Sequence, residues 1–139
     1  MKKLLFSVTL AALTVISCKK DKDECTTSTA SLSGNYRQTA IKYKQTSSSA
    51  EQDFFATLDA CEKDDILVLN SNGAYNYQDA GTVCTPNGSY SGTWSYSGST
   101  ITVDGDVATI QSFDCKSLVI YITDQLVPGD RITTTLVKQ

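Results

Sequence analysis

Apolar positions along this chain fall into three regimes. Behind Met1-Lys2-Lys3 runs an apolar stretch at residues 4–16. A polar stretch follows, dense in charge over Lys19-Lys20-Asp21-Lys22-Asp23-Glu24 and small and hydroxylic over Thr26-Thr27-Ser28-Thr29. From residue 33 onward, short runs rich in Thr, Ser, Tyr, Val and Ile are separated by glycine-containing turns, a β-strand signature. The alternation is clearest at 89–97, where Tyr90, Trp94 and Tyr96 share one face with Ser or Thr between them.

Eight strands are predicted, at 35–44, 66–70, 74–78, 89–97, 100–103, 107–113, 117–123 and 131–138. Asn72-Gly73 reads as a two-residue type I′ hairpin turn, which needs positive φ. Ser97-Gly98-Ser99, Asp104-Gly105-Asp106 and Pro128-Gly129 mark further turns. One short helix is predicted at 50–58, inside the long first connection. Sequential strands joined by hairpins predict an all-β fold, a single eight-stranded up-and-down antiparallel barrel, which leaves no exposed edge. A two-sheet sandwich fits the same turn spacing and is the rival.

The run at 4–16 is too short to span a bilayer, which needs about 20 apolar residues. With two lysines before it, it fits the apolar core of a signal peptide. Its end, Val15-Ile16-Ser17-Cys18, resembles the bacterial lipobox. That resemblance implies cleavage after Ser17 and lipid on Cys18; an ordinary secretory signal with a chance cysteine is the alternative. Several acyl chains anchor a protein stably where one chain does not. The expected organisation is a leader at 1–17, a lipidated cysteine and disordered tether at 18–32, and a folded domain at 33–139. The expected location is the bacterial cell envelope, lipid-anchored to the outer membrane on its periplasmic face or at the cell surface. The charged cluster after Cys18 resembles the surface-export signals of Bacteroidota lipoproteins, and a solvated spacer explains it equally.

Charge narrows the partners. The full chain has 12 basic and 15 acidic residues, and losing Lys2 and Lys3 with the leader takes the net charge from −3 to −5. Nucleic acid and anionic lipid surfaces, which need basic patches, are therefore not expected partners.

Cysteine positions test the barrel. With Cys18 lipidated, Cys25, Cys61, Cys84 and Cys115 remain, an even number in an oxidising compartment. Successive turns of an up-and-down barrel alternate between its two ends. Cys25 precedes the first strand and Cys115 lies in the sixth turn, at one end; Cys61 and Cys84 lie in the first and third connections, at the other. Strands separate the ends by nearly 20 Å, whereas bridged Cα atoms lie within about 7 Å. The barrel therefore predicts Cys61–Cys84 and Cys25–Cys115, with a free Cys25 as the alternative to the second bridge. Zinc is not expected, with no histidine and no C-x-x-C spacing.

These residues then form a recognisable order: Gly34-Asn35-Tyr36, Asp59-Ala60-Cys61-Glu62-Lys63-Asp64-Asp65, Asn72-Gly73-Ala74-Tyr75, Cys84, Gly92-Thr93-Trp94 and a last strand at 132–138. Across residues 33–139 this resembles the lipocalin-like lipoproteins of Bacteroidota, most specifically in Cys61-Glu62-Lys63-Asp64-Asp65 with a later cysteine. The resemblance implies an eight-stranded barrel whose interior holds a small apolar ligand. The sequence departs from many lipocalins in two ways: Tyr36 replaces the tryptophan of the opening Gly-x-Trp, and no helix follows the barrel. The long first and third connections place a mouth at the end away from the anchor.

With no histidine, histidine triads and histidine metal sites are excluded. No nucleophile elbow, phosphate loop or dinucleotide fingerprint appears. Asp64-Asp65 and Asp104-Gly105-Asp106 read as strand caps and turns, and calcium there lacks the ligand count. No enzyme, cofactor or metal is expected. Tyr75, Tyr77, Tyr90, Trp94 and Tyr96 are the candidate ligand lining; plain core packing is the alternative, since an eight-stranded barrel either fills with side chains or holds one ligand. The function expected is binding of a small apolar ligand by a lipid-anchored protein. The alternative is a filled barrel that contacts a protein partner through its long loops.

Overall fold

The computed structural model describes residues 25–139. The leader at 1–17, Cys18 and the first part of the tether lie outside the described residues. The strands are β1 (Gly34–Lys44), β2 (Gln52–Asp53), β3 (Ile66–Leu69), β4 (Ala74–Gln78), β5 (Tyr90–Ser97), β6 (Thr100–Val103), β7 (Asp106–Phe113), β8 (Ser117–Thr123) and β9 (Arg131–Lys138). Each predicted strand appears within about a residue of its expected bounds. Every neighbouring pair is antiparallel, and β9 returns to pair with β1 from Tyr36↔Lys138 to Lys44↔Arg131. That last ladder closes an eight-stranded barrel and excludes the sandwich. Bulges at Gln38/Ala40 in β1 and Ile110/Ser112 in β7 add the local twist that closure needs.

Because turns alternate between the ends, the barrel has a base, where β1 begins, and a mouth, where β1 finishes. The base turns are tight. The mouth carries the long connections at 45–65 and 79–89. The type I′ turn falls at the mouth and not at Asn72-Gly73. Asp104 and Gly105 both have positive φ, 49° and 97°, as that turn requires. At Asn72-Gly73 only Gly73 does, and the Gly73 N–H donates to the Asn70 carbonyl at 3.1 Å. This is a three-residue loop ending in a glycine bulge, so one glycine suffices.

The helix predicted at 50–58 is replaced by β2 and a single 3-10 turn at Phe55–Thr57. Tertiary contacts override the local signal. β1 parts from β3 after Arg37↔Ile66, which leaves an open strand edge. The segment fills it: Lys42↔Asp53 and Tyr43↔Gln52 pair, the Phe54 N–H donates to the Ile41 carbonyl at 2.9 Å, and the Phe54 ring stacks on Tyr43 at 4.8 Å.

The part of the expected tether that is described, residues 25–32, is ordered against the barrel. Ser28 caps a one-turn helix α1 (Thr29–Leu32) through a capping box with Ser31. Leu32 is wholly buried, beneath the core of Tyr36, Leu69, Trp94, Ile101 and Leu118. The Leu32 carbonyl accepts from the Tyr36 hydroxyl at 2.7 Å, and the Ser31 carbonyl accepts from Lys138 Nζ at 2.7 Å. One leucine in a polar stretch is a weak pattern, but the base of the barrel supplies its apolar partners.

Both disulfides are those the topology predicts: Cys25–Cys115 at the base and Cys61–Cys84 at the mouth, with Cα separations of 5.6 and 5.3 Å. Cys25–Cys115 closes a sequence separation of 90 residues and holds α1 under the barrel. Replacing both cysteines by alanine is expected to lower stability by about 3–5 kcal/mol on loop entropy, and Leu32→Ala by about 2–5 kcal/mol, both read from urea unfolding. Losses no larger than those of an exposed control substitution would mean that α1 does not hold the base.

Candidate ligand site

The base half of the barrel is filled and the mouth half is not. Inward positions near the base carry large residues, Leu32, Tyr36, Leu69, Trp94 and Leu118, all buried. Toward the mouth a cavity of about 180 Å³ remains. Leu67, Val103 and Ile120 wall it, and Tyr75 and Leu136 connect it to the core below. Gln38, Asp65 and Thr134 supply its polar groups. Gln38 and Asp65 are the residues just beyond the last β1–β3 pair, so they flank the place where the wall divides. Other hollows at this end are larger: those of about 240 and 290 Å³ share Lys44 and Arg131, and one of about 320 Å³ lies over Asn76–Gln78 and Ser89–Ser91.

Of the five aromatic residues expected to form a lining, Tyr75, Tyr77 and Tyr90 do so. Tyr90 stacks on Tyr77 at 4.9 Å and meets Tyr75 edge-on at 6.0 Å. Trp94 and Tyr96 do not reach the cavity. They share the inward face of β5 but lie four and six residues closer to the base, and six residues span about 20 Å. Trp94 is a core residue whose indole N–H donates to the Asn70 carbonyl at 2.8 Å. Alternation selects a face, and depth along the strand selects the site. Gln38, Asp65, Leu67, Val103, Ile120, Thr134 and Leu136 were not among the expected lining residues. Closure brings them together from five strands and the segment before β3.

Carboxylates organise the rim. Asp104 Oδ2 accepts from the Tyr75 hydroxyl at 2.6 Å and Oδ1 from the Thr93 N–H at 2.8 Å. These bonds hold its carboxyl below the ordinary carboxylate range, and the first of them pushes the Tyr75 phenol up to about 12. The Asp104 carboxylate occupies the space where a side chain on Gly92 would start, which explains the glycine of Gly92-Thr93-Trp94. Asp79 accepts from the Cys84 and Gly88 N–H groups at 3.0 and 2.8 Å. Asp64 accepts from Thr82 at 2.9 Å and Asp65 from Ala80 at 3.2 Å. Together with Cys61–Cys84 they fasten the 79–89 loop against the start of β3. Asp130, buried, accepts from Gln125, Leu126 and Val127 at 2.9, 2.8 and 3.0 Å and orders the last mouth loop. Burial opposes its charge, but the backbone donors outweigh that and hold its carboxyl low. Asp64-Asp65 and Asp104 thus act in loops and turns, as their residue type suggests.

Asp65 behaves in the opposite sense. Burial raises its carboxyl above the ordinary value, against the opposing hydrogen bonds from Ala80 and Tyr77. Burial, with the adjacent Asp65 charge second, drives the Tyr77 phenol well up, and burial also raises Tyr90. No group of three or more metal-ligating side chains occurs among the described residues.

The architecture is that of a one-ended cup: a closed antiparallel barrel, plugged at the base and hollow at the mouth. A profile of the Lipocalin-like domain family matches residues 32–120, and the chain belongs to that family. No curated protein and no solved structure matches the chain significantly.

The rim carboxylates give stability a defined pH dependence. Asp104 and Asp130 have lowered carboxyls, so their contribution is present above the ordinary value of about 4 and is lost as pH falls through their lowered values. Asp65 is raised, so its ionisation costs stability as pH rises from the ordinary value through the raised one. Asp104→Asn is therefore expected to lower Tm at pH 7 and to change it little at pH 2. Asp65→Asn is expected to keep or raise Tm at pH 7, with no gain below about pH 3. Melts of both variants across that range check the signs.

Proposed function

We propose that this chain is a lipid-anchored bacterial envelope protein that holds a small, largely apolar ligand in the mouth half of its barrel. The observation that carries the reading is the cavity of about 180 Å³ walled by Leu67, Val103 and Ile120. An apolar hollow with a few converging polar groups is the usual form of a ligand site. The barrel of the lipocalin-like family is compatible with this use. No catalytic role is assigned to any residue; the proposed activity is binding.

The anchor reading rests on the leader at 1–17 and on Val15-Ile16-Ser17-Cys18. Cys18 precedes Cys25 by seven residues, at most about 25 Å of chain. Cys25 is bonded to Cys115 at the base. Lipid on Cys18 would therefore sit on the base side and leave the mouth facing away from an outer-membrane leaflet.

A protein contact at the mouth is the second reading. Val83, Val107, Leu126 and Val127 are exposed, and all lie in or beside mouth connections. Native mass spectra of protein isolated from its own host separate the two. Ligand binding predicts a reproducible extra mass that leaves on denaturation and is absent from Leu67→Trp, which fills the cavity. A mass equal to the covalent chain alone, with its Cys18 lipid and two hydrogens lighter per disulfide, would favour the protein-contact reading.

A further inference from the structure

The walls of the cavity also say which ligands it suits, on the reading that it is a binding site. Size is the first constraint. A cavity of about 150 Å³ accommodates a benzene-sized ring, so one of about 180 Å³ takes a single ring with a short substituent. The hollow is open on one side, so an extended acyl chain or a fused-ring system would leave part of itself outside it.

Charge is the second. Asp65 is the one charged side chain on the lining, and it is 6% exposed. Its carboxylate accepts from the Ala80 N–H and the Tyr77 hydroxyl. Neither bond supplies a positive charge. Among the described residues the one ion pair is Lys42–Asp53. Lys63, two residues before Asp65, donates instead to the Ala56 carbonyl at 3.2 Å and lies over the Phe55 ring. A buried carboxylate without a cation is costly, and a positively charged ligand would offset that cost. An anionic ligand would add to it, with Asp64 and Asp79 also near Asp65.

The aromatic groups act in the same direction. Tyr77 and Tyr90 lie beside this carboxylate, and the outer faces of the stacked pair can attract a cation. Position completes the pattern. Asp65 and Gln38 flank the division between β1 and β3, while Leu67, Ile120 and Leu136 lie on the wall. A ligand with one polar and one apolar end is thereby oriented.

We propose that this cavity selects a compact single-ring organic cation, a protonated arylalkylamine, with its ammonium on Asp65 and its ring against Leu67, Ile120 and Leu136.

The test uses three probes of nearly equal size, benzylammonium, benzyl alcohol and benzoate, titrated calorimetrically at pH 7 into purified full-length protein. Benzylammonium is expected to bind at least about tenfold tighter than benzyl alcohol, or ~1.4 kcal/mol, with no binding heat from benzoate. In Asp65→Asn the alcohol should still bind, and the preference for the cation should fall to within about threefold. Equal or tighter binding of the alcohol or benzoate to the unmodified protein would overturn charge selection and leave the cavity reading standing. An unchanged preference in Asp65→Asn would do the same. Binding of none of the three would overturn the cavity reading and this inference together. The charge series on the unmodified protein decides without the variant.

Discussion

The ladder between β1 and β9 is the constraint on which the rest of this molecule depends. Pairing from Tyr36↔Lys138 to Lys44↔Arg131 turns a meander into a closed wall. Closure gives every connection one of two ends, and that assignment determines which cysteines can meet. It also gives each strand an inside, so that Tyr36, Trp94, Ile101 and Leu118, far apart in sequence, share one core. Without it, β1 and β9 would be unpaired edges, and Leu32 would have no base to close.

The two ends use different chemistry. The base is held by apolar burial and one long-range bridge: Leu32 under the core, the Lys138 ammonium on the Ser31 carbonyl, and Cys25–Cys115. The mouth is held by carboxylates that collect backbone N–H groups. Asp79, Asp104 and Asp130 each accept at least one, and Cys61–Cys84 ties two mouth connections together. Charge-assisted bonds of this kind are stronger than neutral ones, which suits loops with few apolar residues to bury. The mouth is thereby given a defined shape without filling the space beneath it.

Much of this was legible in the sequence because the relevant signals are local or topological. Period-two runs and glycine turns placed the strands, and alternation of ends paired four cysteines correctly. The failures have physical causes. The 50–58 segment follows the open edge that β1 presents once β3 has parted from it, a tertiary partner that local propensity does not register. Leu32 reads as one apolar residue among hydroxyls, and only the base makes it core. The type I′ turn belongs to Asp104-Gly105 because the Asn72-Gly73 loop is one residue longer, a difference set by strand register. For the site, Tyr75, Tyr77 and Tyr90 were found by residue type and face. Trp94 and Tyr96 satisfy the same criteria and lie too deep. Asp65 reads as a turn residue and does hold a loop N–H, yet its depth also brings it to the cavity.

Asp65 therefore carries two demands that conflict energetically. Its bond to Ala80 helps seat the 79–89 loop, while its burial disfavours the charge that makes the bond strong. Asp79 faces part of the same problem but collects the Cys84 and Gly88 N–H groups, and Asp130 collects three. Asp65 receives one backbone donor and one phenol and faces a cavity on its remaining side. A residue needed only to pin the loop would gain from further donors or from a neutral amide. On the proposed reading, a half-satisfied carboxylate beside an apolar hollow is a cost that a bound group of opposite charge would relieve. A cost of that kind is expected where binding is the task, because the free energy recovered on binding adds to affinity without requiring a larger cavity.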